Sequence, residues 1–254
     1  MRAIILAAGR GRRLGHNTDA IPKTMVPVGG RPMIERQLDA LAGVGIGRDR
    51  VHVVRGYLGE VLTRAYPDLQ YFDNPDWARN NILASLMHAA AAFDDEVVFS
   101  YSDIVYAPEV ARTLCDAPGC EALLVVDRAW KDTYEGRDQH PLPEAELARV
   151  EDGRVTRVGK RAVPADAAAG EFIGLARFAR GTLGRMHVEW QRLLAEGGLD
   201  QPFGLSPRRE VAYLCDMITH LIALGLQARP VYIDGRWREV DTEQDLERAH
   251  RAVR

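Results

Sequence analysis

Apolar residues run unbroken near the N-terminus, Ala3-Ile4-Ile5-Leu6, and stop at a glycine-rich loop. Comparable runs recur at VHVVRG from Val51, LQYFD from Leu69, EVVFSYSDI from Glu96 and EALLVVD from Glu121. Short apolar runs of this kind are expected of strands covered on both faces. Between them the period changes. Met33, Ile34, Leu38 and Leu41 recur at helical spacing, and Gly43 and Gly45 close that segment. PDWARNNILASLMHAAAAF opens on Pro75-Asp76 and continues with good helix formers, so a helix is expected over residues 75–93. Strands alternating with helices predict an α/β fold with a Rossmann-like, mostly parallel sheet flanked by helices.

The second half has a different rhythm. RVTRVG and EFIGLARFA read as strands with no full helix between them, which predicts antiparallel additions to the sheet. Helices are expected over residues 181–196 and 209–224, then a strand, QARPVYIDG, and a last helix from about Thr242. Glycine, proline and charge cluster over residues 130–145, the composition of a functional loop. No internal repeat is visible, and the chain reads as one domain over residues 1–254.

Composition narrows the class. A chain of 254 residues can bury a sizeable core. Its net charge of −3 argues against general nucleic-acid binding, which needs a basic face. No stretch approaches the roughly 20 apolar residues of a membrane span, and the N-terminal run is too short for a signal peptide. Cys115, Cys120 and Cys215 lack metal-type spacing and are expected to be reduced thiols of a cytoplasmic protein. The seven histidines form no HxxxH or HxH pair, so no zinc site is expected.

Positive charge is concentrated in the first loop, where Gly9, Gly11 and Gly15 alternate with Arg10, Arg12 and Arg13, and Lys23 follows. A strand running into glycines lets backbone N–H groups approach an anion closely. The spacing is GxGxxxG, so the dinucleotide fingerprint GxGxxG fails, and no acidic strand end follows at the expected distance. The Walker pattern also fails, because Lys23-Thr24 is preceded by Pro22.

A third pattern fits. Leu6-Ala7-Ala8-Gly9-Arg10-Gly11-Arg12-Arg13-Leu14, then Pro22-Lys23 and residues 26–32, resembles the signature of the sugar-phosphate nucleotidyltransferase superfamily. Thr24 stands where those enzymes usually carry proline, a departure from the common sugar-1-phosphate branch. Residues 74–86, with Asn80-Asn81 and Ser85-Leu86, resemble a block of bacterial choline-phosphate cytidylyltransferases and of phosphoenolpyruvate-mutase-associated (phosphonate) nucleotidyltransferases. Residues 126–134, Arg137, residues 158–160 and residues 170–175 favour the phosphonate group, and the resemblance extends to Thr242.

The resemblance implies a glycosyltransferase-A-like fold with a nucleotide-binding half, residues 1–125, and an acceptor-binding half, residues 126–254. It implies a Mg²⁺-dependent cytidylyltransferase that joins CTP to a small phosphonate or phosphate of the aminoethylphosphonate, hydroxyalkylphosphonate or phosphocholine class. Leu6, Ala8, Gly9, Gly11 and Arg12 would cradle the nucleotide, while Arg13 and Lys23 would neutralise its phosphates during transfer. Asn80, Asn81 and Ser85 would read the base, since side-chain amides match the cytosine edge. Asp103 and Asp241 would hold Mg²⁺, as hard oxygen ligands suit a metal that bridges phosphates. Arg128, Lys131, Arg137 and Lys160 would hold the acceptor's anion, and Glu171 and Asp216 its other end, with Trp130, Tyr134 or Tyr213 offering an aromatic face to an ammonium.

Plainer roles stand beside these. Asn80 and Asn81 are placed to cap or break a helix, Asp241 to cap the last one, and Glu210 to cap the helix carrying Tyr213; the loop cations are placed to be solvated. The functional rivals are a sugar- or polyol-phosphate nucleotidyltransferase using another triphosphate and a nonenzymatic nucleotide-binding regulator. Retention of Arg13, Lys23, Asp103 and Asp241 together argues against the latter. A homodimer is left open.

Overall fold

Successive residues of the first strand enter opposite faces of the sheet. In the computed structural model, which describes residues 1–252, β1 (Arg2–Ala7) sends Ile4 and Leu6 into one core and Ala3, Ile5 and Ala7 into the other. This two-sided burial explains the unbroken apolar run.

After β1 come a short ribbon, β2 (Pro27–Val28) and β3 (Arg31–Pro32), and α1 (Met33–Ala42). β4 (Val51–Arg55), α2 (Gly59–Ala65), β5 (Gln70–Asp73) and α3 (Ile82–Met87) follow. Next are β6 (Val97–Tyr101), β7 (Ile104–Tyr106), α4 (Pro108–Asp116), β8 (Ala122–Asp127) and α5 (Trp130–Tyr134). The chain continues with β9 (Glu146–Glu151), β10 (Arg154–Lys160), β11 (Gly170–Phe178), α6 (Thr182–Gly197) and α7 (Leu214–Ala223). It closes with β12 (Ala228–Ile233), β13 (Trp237–Glu239) and α8 (Glu243–Ala252).

One nine-stranded sheet runs through both halves in the order β10-β9-β11-β6-β1-β4-β5, with β8 pairing β11 and β12. The β6-β1-β4-β5 block is parallel, as the alternating pattern predicts. β11 is the hinge of the architecture: it runs antiparallel to β6, β8 and β9 and supplies the expected antiparallel additions. No helix of the described residues is long and apolar enough to cross a membrane. The three cysteines are free.

Three expectations need correction. The helix over residues 75–93 does not form as one element; a turn precedes α3. The Asn74 side chain accepts the Asp76 N–H at 3.0 Å, and Asn81 accepts the Ile82 N–H at 2.8 Å and so caps α3. Asparagine side chains here outcompete the helical hydrogen-bond ladder. The helix over residues 209–224 begins only at Leu214, because Tyr213 is extended and its N–H is taken by Asp216. Finally, the run EVVFSYSDI breaks at Ser102-Asp103. β7 leaves the main sheet and pairs with β13, a strand whose three residues carry too little pattern to be read beforehand.

Candidate active site

β1 lies between β4 and β6, so the order of the strands reverses beside it, and crevices at such switch points hold ligands. Leu6 is inside β1 and buried. Ala8 accepts the Tyr57 N–H at 2.9 Å, which fixes the exit of the strand. Gly9 is exposed, and a Cβ placed on it would meet nothing within 4 Å. Gly11 is different: its φ is +68°, and a Cβ would lie 2.7 Å from Lys23 Cδ. Glycine at this point lets the Lys23 side chain pass beneath the loop. Arg12, exposed, opens a short 3₁₀ segment over Arg12–Thr18.

Lys23 is only 7% exposed. Its Nζ donates to Asp103 Oδ2 at 2.8 Å and to Asp241 Oδ1 at 2.5 Å. Arg13 donates to Asp241 Oδ2. Asp103 sits in the break between β6 and β7, and Asp241 sits between β13 and α8. The Val240 N–H donates to the Asp103 carbonyl at 2.8 Å, so the β7–β13 ribbon holds the two aspartates together. Burial opposes the Lys23 charge, but Asp103 and Asp241 more than offset it and hold the ammonium pKa above its ordinary value. Burial likewise works against ionised Asp241, yet Lys23, His140 and Arg13 keep its carboxyl well below the usual range. The Asp241 carboxylate does not cap α8. Asp245 Oδ2 accepts the Asp241 and Thr242 N–H groups, and Thr242 Oγ1 accepts the Asp245 N–H. That leaves the Asp241 oxygens facing the cleft.

These residues fit a hard divalent cation. Asp103 and Asp241 converge on one cationic atom, and Asp103 Oδ1 is buried without a hydrogen-bond partner among the described residues. His140, Glu239 and Asp241 also offer ligand atoms that lie within 4.8 Å of one another.

A cavity of about 210 Å³ opens beside the aspartates, walled by Glu144, Glu146, Lys160, Glu171 and Tyr213. Lys160, at the end of β10, donates to Glu144 at 3.1 Å and lies 4.8 Å from the Tyr213 ring centroid. Burial lowers its tendency to hold charge, but Glu146, Tyr213 and Glu144 reverse this and raise its pKa. Glu146 accepts from Tyr101 Oη and Cys215 Sγ, each at 3.0 Å. Glu171 is 3% exposed; Oε1 accepts from Tyr134 Oη at 2.5 Å, while Oε2 has no partner among the described residues. Burial pushes the Glu171 carboxyl up to about 8. A larger cavity, about 730 Å³, shares Glu144, Lys160 and Tyr213 with the first.

Asn80 and Ser85 stand at the carboxyl end of β5, joined through Asn74. Asn74 Nδ2 donates to Asn80 Oδ1 and to Ser85 Oγ, each at 2.8 Å. Asn81 lines the smaller cavity while capping α3 and donating to the Val211 carbonyl at 3.2 Å.

The acceptor candidates divide. Lys160 and Glu171 line the cavity; four others are engaged elsewhere. Arg128 is exposed and pairs with Asp234 at 2.6 Å. Lys131 is exposed beside the Trp130 ring. Arg137 is buried, donating to Asp245 at 2.6 Å and Glu239 at 2.8 Å. Asp216 borders the larger cavity, but its oxygens accept from Tyr213, Leu205 and Ser206. The sequence reading missed Asn74, His140, Glu146 and Glu239. Only Glu239 left a signal, standing two residues before Asp241 and so on the same side of an extended segment.

Comparison with known proteins identifies the family. Residues 3–167 match the MobA-like NTP transferase domain. The chain is 30% identical to a CTP:phosphoglutamine cytidylyltransferase of Campylobacter jejuni, over 97% of this chain and 98% of the relative. It is 36% identical over 129 residues to a CMP-5'-(3-aminopropyl)phosphonate synthase of Streptomyces rubellomurinus, an alignment covering 48% of this chain and 20% of that protein. The solved CTP:phosphocholine cytidylyltransferase of Streptococcus pneumoniae shares the fold, with a TM-score of 0.72 at 21% identity, over 100% of this chain and 99% of the other.

Proposed function

The chain belongs to the MobA-like NTP transferase family, and on that premise we propose that it is a cytidylyltransferase joining CTP to a small, ammonium-bearing phosphonate or phosphate. The observation that carries this reading is the meeting of Lys23, Asp103 and Asp241 beside a cavity lined by Lys160 and by the buried carboxyl groups of Glu146 and Glu171. The cytidine nucleotide in the names of both curated relatives supports the choice of CTP.

The chain's own groups divide the work. Backbone N–H groups over residues 9–12 cradle the triphosphate, and the open space at Gly9 admits its close approach. Asn80 and Ser85 read the base, held in register by Asn74. Lys160 holds the acceptor's phosphonate or phosphate, and Glu171 its ammonium. An oxygen of that anion attacks the α-phosphorus, and the bond to pyrophosphate breaks. The attacking oxygen is already ionised at neutral pH, so no general base is required. Repulsion between anions is the barrier, and Arg13 and Lys23 lower it by neutralising charge as it moves onto the leaving group. Asp103 and Asp241 hold Mg²⁺, which when bound supplies a Lewis acid for the phosphate oxygens. The reaction is placed in the cytoplasm.

Pyrophosphate release tests the reading directly. The chain is incubated with each of four nucleoside triphosphates, Mg²⁺ and a panel of aminoalkylphosphonates, hydroxyalkylphosphonates, phosphocholine and sugar phosphates. Release confined to CTP with aminoalkylphosphonates or phosphocholine supports it, and release confined to hydroxyalkylphosphonates refutes the ammonium-bearing acceptor. Release only with sugar phosphates, or with none, refutes it.

A further inference from the structure

We infer that His140 Nδ1 joins Asp241 as a protein ligand of the divalent ion, and that Glu239 orients the imidazole ring. The inference rests on the reading that the two aspartates hold such an ion, and it makes the centre a mixed nitrogen–oxygen site.

His140 comes from the loop between α5 and β9 and is 1% exposed. Its Nδ1 lies 3.2 Å from Asp241 Oδ2, yet the atom makes no hydrogen bond among the described residues. The nitrogen and the oxygen therefore stand side by side. Two ligands of one ion are arranged in this way. At metal–ligand distances of about 2.1 Å, neighbours at a right angle are about 3 Å apart, and at a tetrahedral angle about 3.4 Å. The observed separation lies between those limits.

The other side of the ring supports the same assignment. His140 Nε2 is 3.3 Å from Glu239 Oε2. A histidine that ligates a metal through one nitrogen commonly presents its other N–H to a carboxylate, which fixes the tautomer and the ring plane. Glu239 is itself fixed: Arg137 donates to it at 2.8 Å and is held in turn by Asp245 at 2.6 Å. The buried Arg137 thus serves the ring through Glu239.

Imidazole changes the choice of metal. Mg²⁺ favours oxygen donors, whereas an imidazole nitrogen favours first-row transition ions. The centre is therefore expected to bind Mn²⁺ at least about tenfold more tightly than Mg²⁺, and His140→Ala to remove most of that preference.

Mn²⁺ bound to the full chain without nucleotide is read by electron paramagnetic resonance, with pulsed spectra recorded for ¹⁴N modulation. Wild type is expected to show a directly coupled ¹⁴N signal. The expected spectrum of His140→Ala has no such signal, with Mn²⁺ still held, more weakly, by the aspartates. Mn²⁺ bound in an Asp241-dependent way without ¹⁴N coupling in wild type would overturn the imidazole assignment and leave the two-aspartate site standing. No Mn²⁺ binding that responds to Asp241→Asn would overturn both. The wild-type spectrum decides the question even if a variant fails to fold.

Discussion

Lys23 Nζ donates to Asp241 Oδ1 across 2.5 Å and so joins the N-terminal loop to the approach of the last helix, 218 residues away along the chain. With Asp103 at 2.8 Å from the same nitrogen, the ammonium balances two carboxylates in a largely buried setting. Lys23→Ala should therefore do two separable things. In EDTA it should lower stability by about 3–5 kcal/mol, the usual result of stripping one partner from a buried ion pair. At saturating CTP and Mg²⁺ it should cut turnover far more than CTP affinity, because the lysine acts as negative charge moves to pyrophosphate. Thermal melts with and without Mg²⁺, together with kcat and CTP affinity, check both halves. Unchanged turnover with lost affinity would reduce Lys23 to a binding residue.

Asp103→Asn and Asp241→Asn should each abolish most activity while retaining the fold, since each removes an anionic ligand and no apolar packing. EDTA should do the same to wild type, and added divalent ion should restore it. Circular dichroism and rates under the two conditions give the answer; full activity in EDTA contradicts the assignment.

Asn80→Ala and Ser85→Ala should erode the preference for CTP over UTP, which in wild type should be at least about tenfold. Exchanging the cytosine amino donor for a carbonyl leaves a pocket group unpaired, at a cost of ~1–3 kcal/mol. Asn74→Ala should have the same effect without facing the base, because Asn74 bonds both residues. Competition between the two nucleotides in one tube measures this ratio.

Glu171 predicts a pH dependence. Its folded pKa, about 8, lies above the ordinary value of 4.5 because burial disfavours the carboxylate. The native state therefore holds a proton that the unfolded chain has released. The contribution to stability is full below about pH 4.5 and is lost as the pH rises toward 8. Glu171→Gln should flatten that slope, visible in denaturant midpoints across the window. Binding of an ammonium-bearing phosphonate near pH 7 should release a proton from wild type and none from Glu171→Gln, read as a buffer-dependent calorimetric enthalpy.

What could be read in advance follows the range of the interactions. The glycine loop, the parallel strands and Lys23, Asp103 and Asp241 as separate candidates were visible, because local spacing and the family resemblance carry them. The convergence of those three depends on β7 pairing with β13, and strands of three residues have no period to detect. Residues 75–93 misled because alanine and leucine favour a helix, while the decisive Asn74 and Asn81 hydrogen bonds are specific contacts that propensity does not register. Arg137 looked like an acceptor-binding cation because its partners, Glu239 and Asp245, lie more than a hundred residues downstream. Glu146 and His140 are buried by tertiary packing alone, and nothing near them in the chain announces it.

The central claim is the transfer of CMP to a small phosphonate, and ³¹P NMR observes that bond directly. The chain is mixed with CTP, Mg²⁺ and 2-aminoethylphosphonate, with phosphocholine and glucose 1-phosphate as parallel acceptors and UTP as a parallel donor. The account predicts a pair of mutually coupled phosphorus doublets, one from the phosphonate and one from CMP, appearing as pyrophosphate accumulates with CTP. A phosphonate resonance that never changes, with coupled product appearing only from UTP and glucose 1-phosphate, would contradict it.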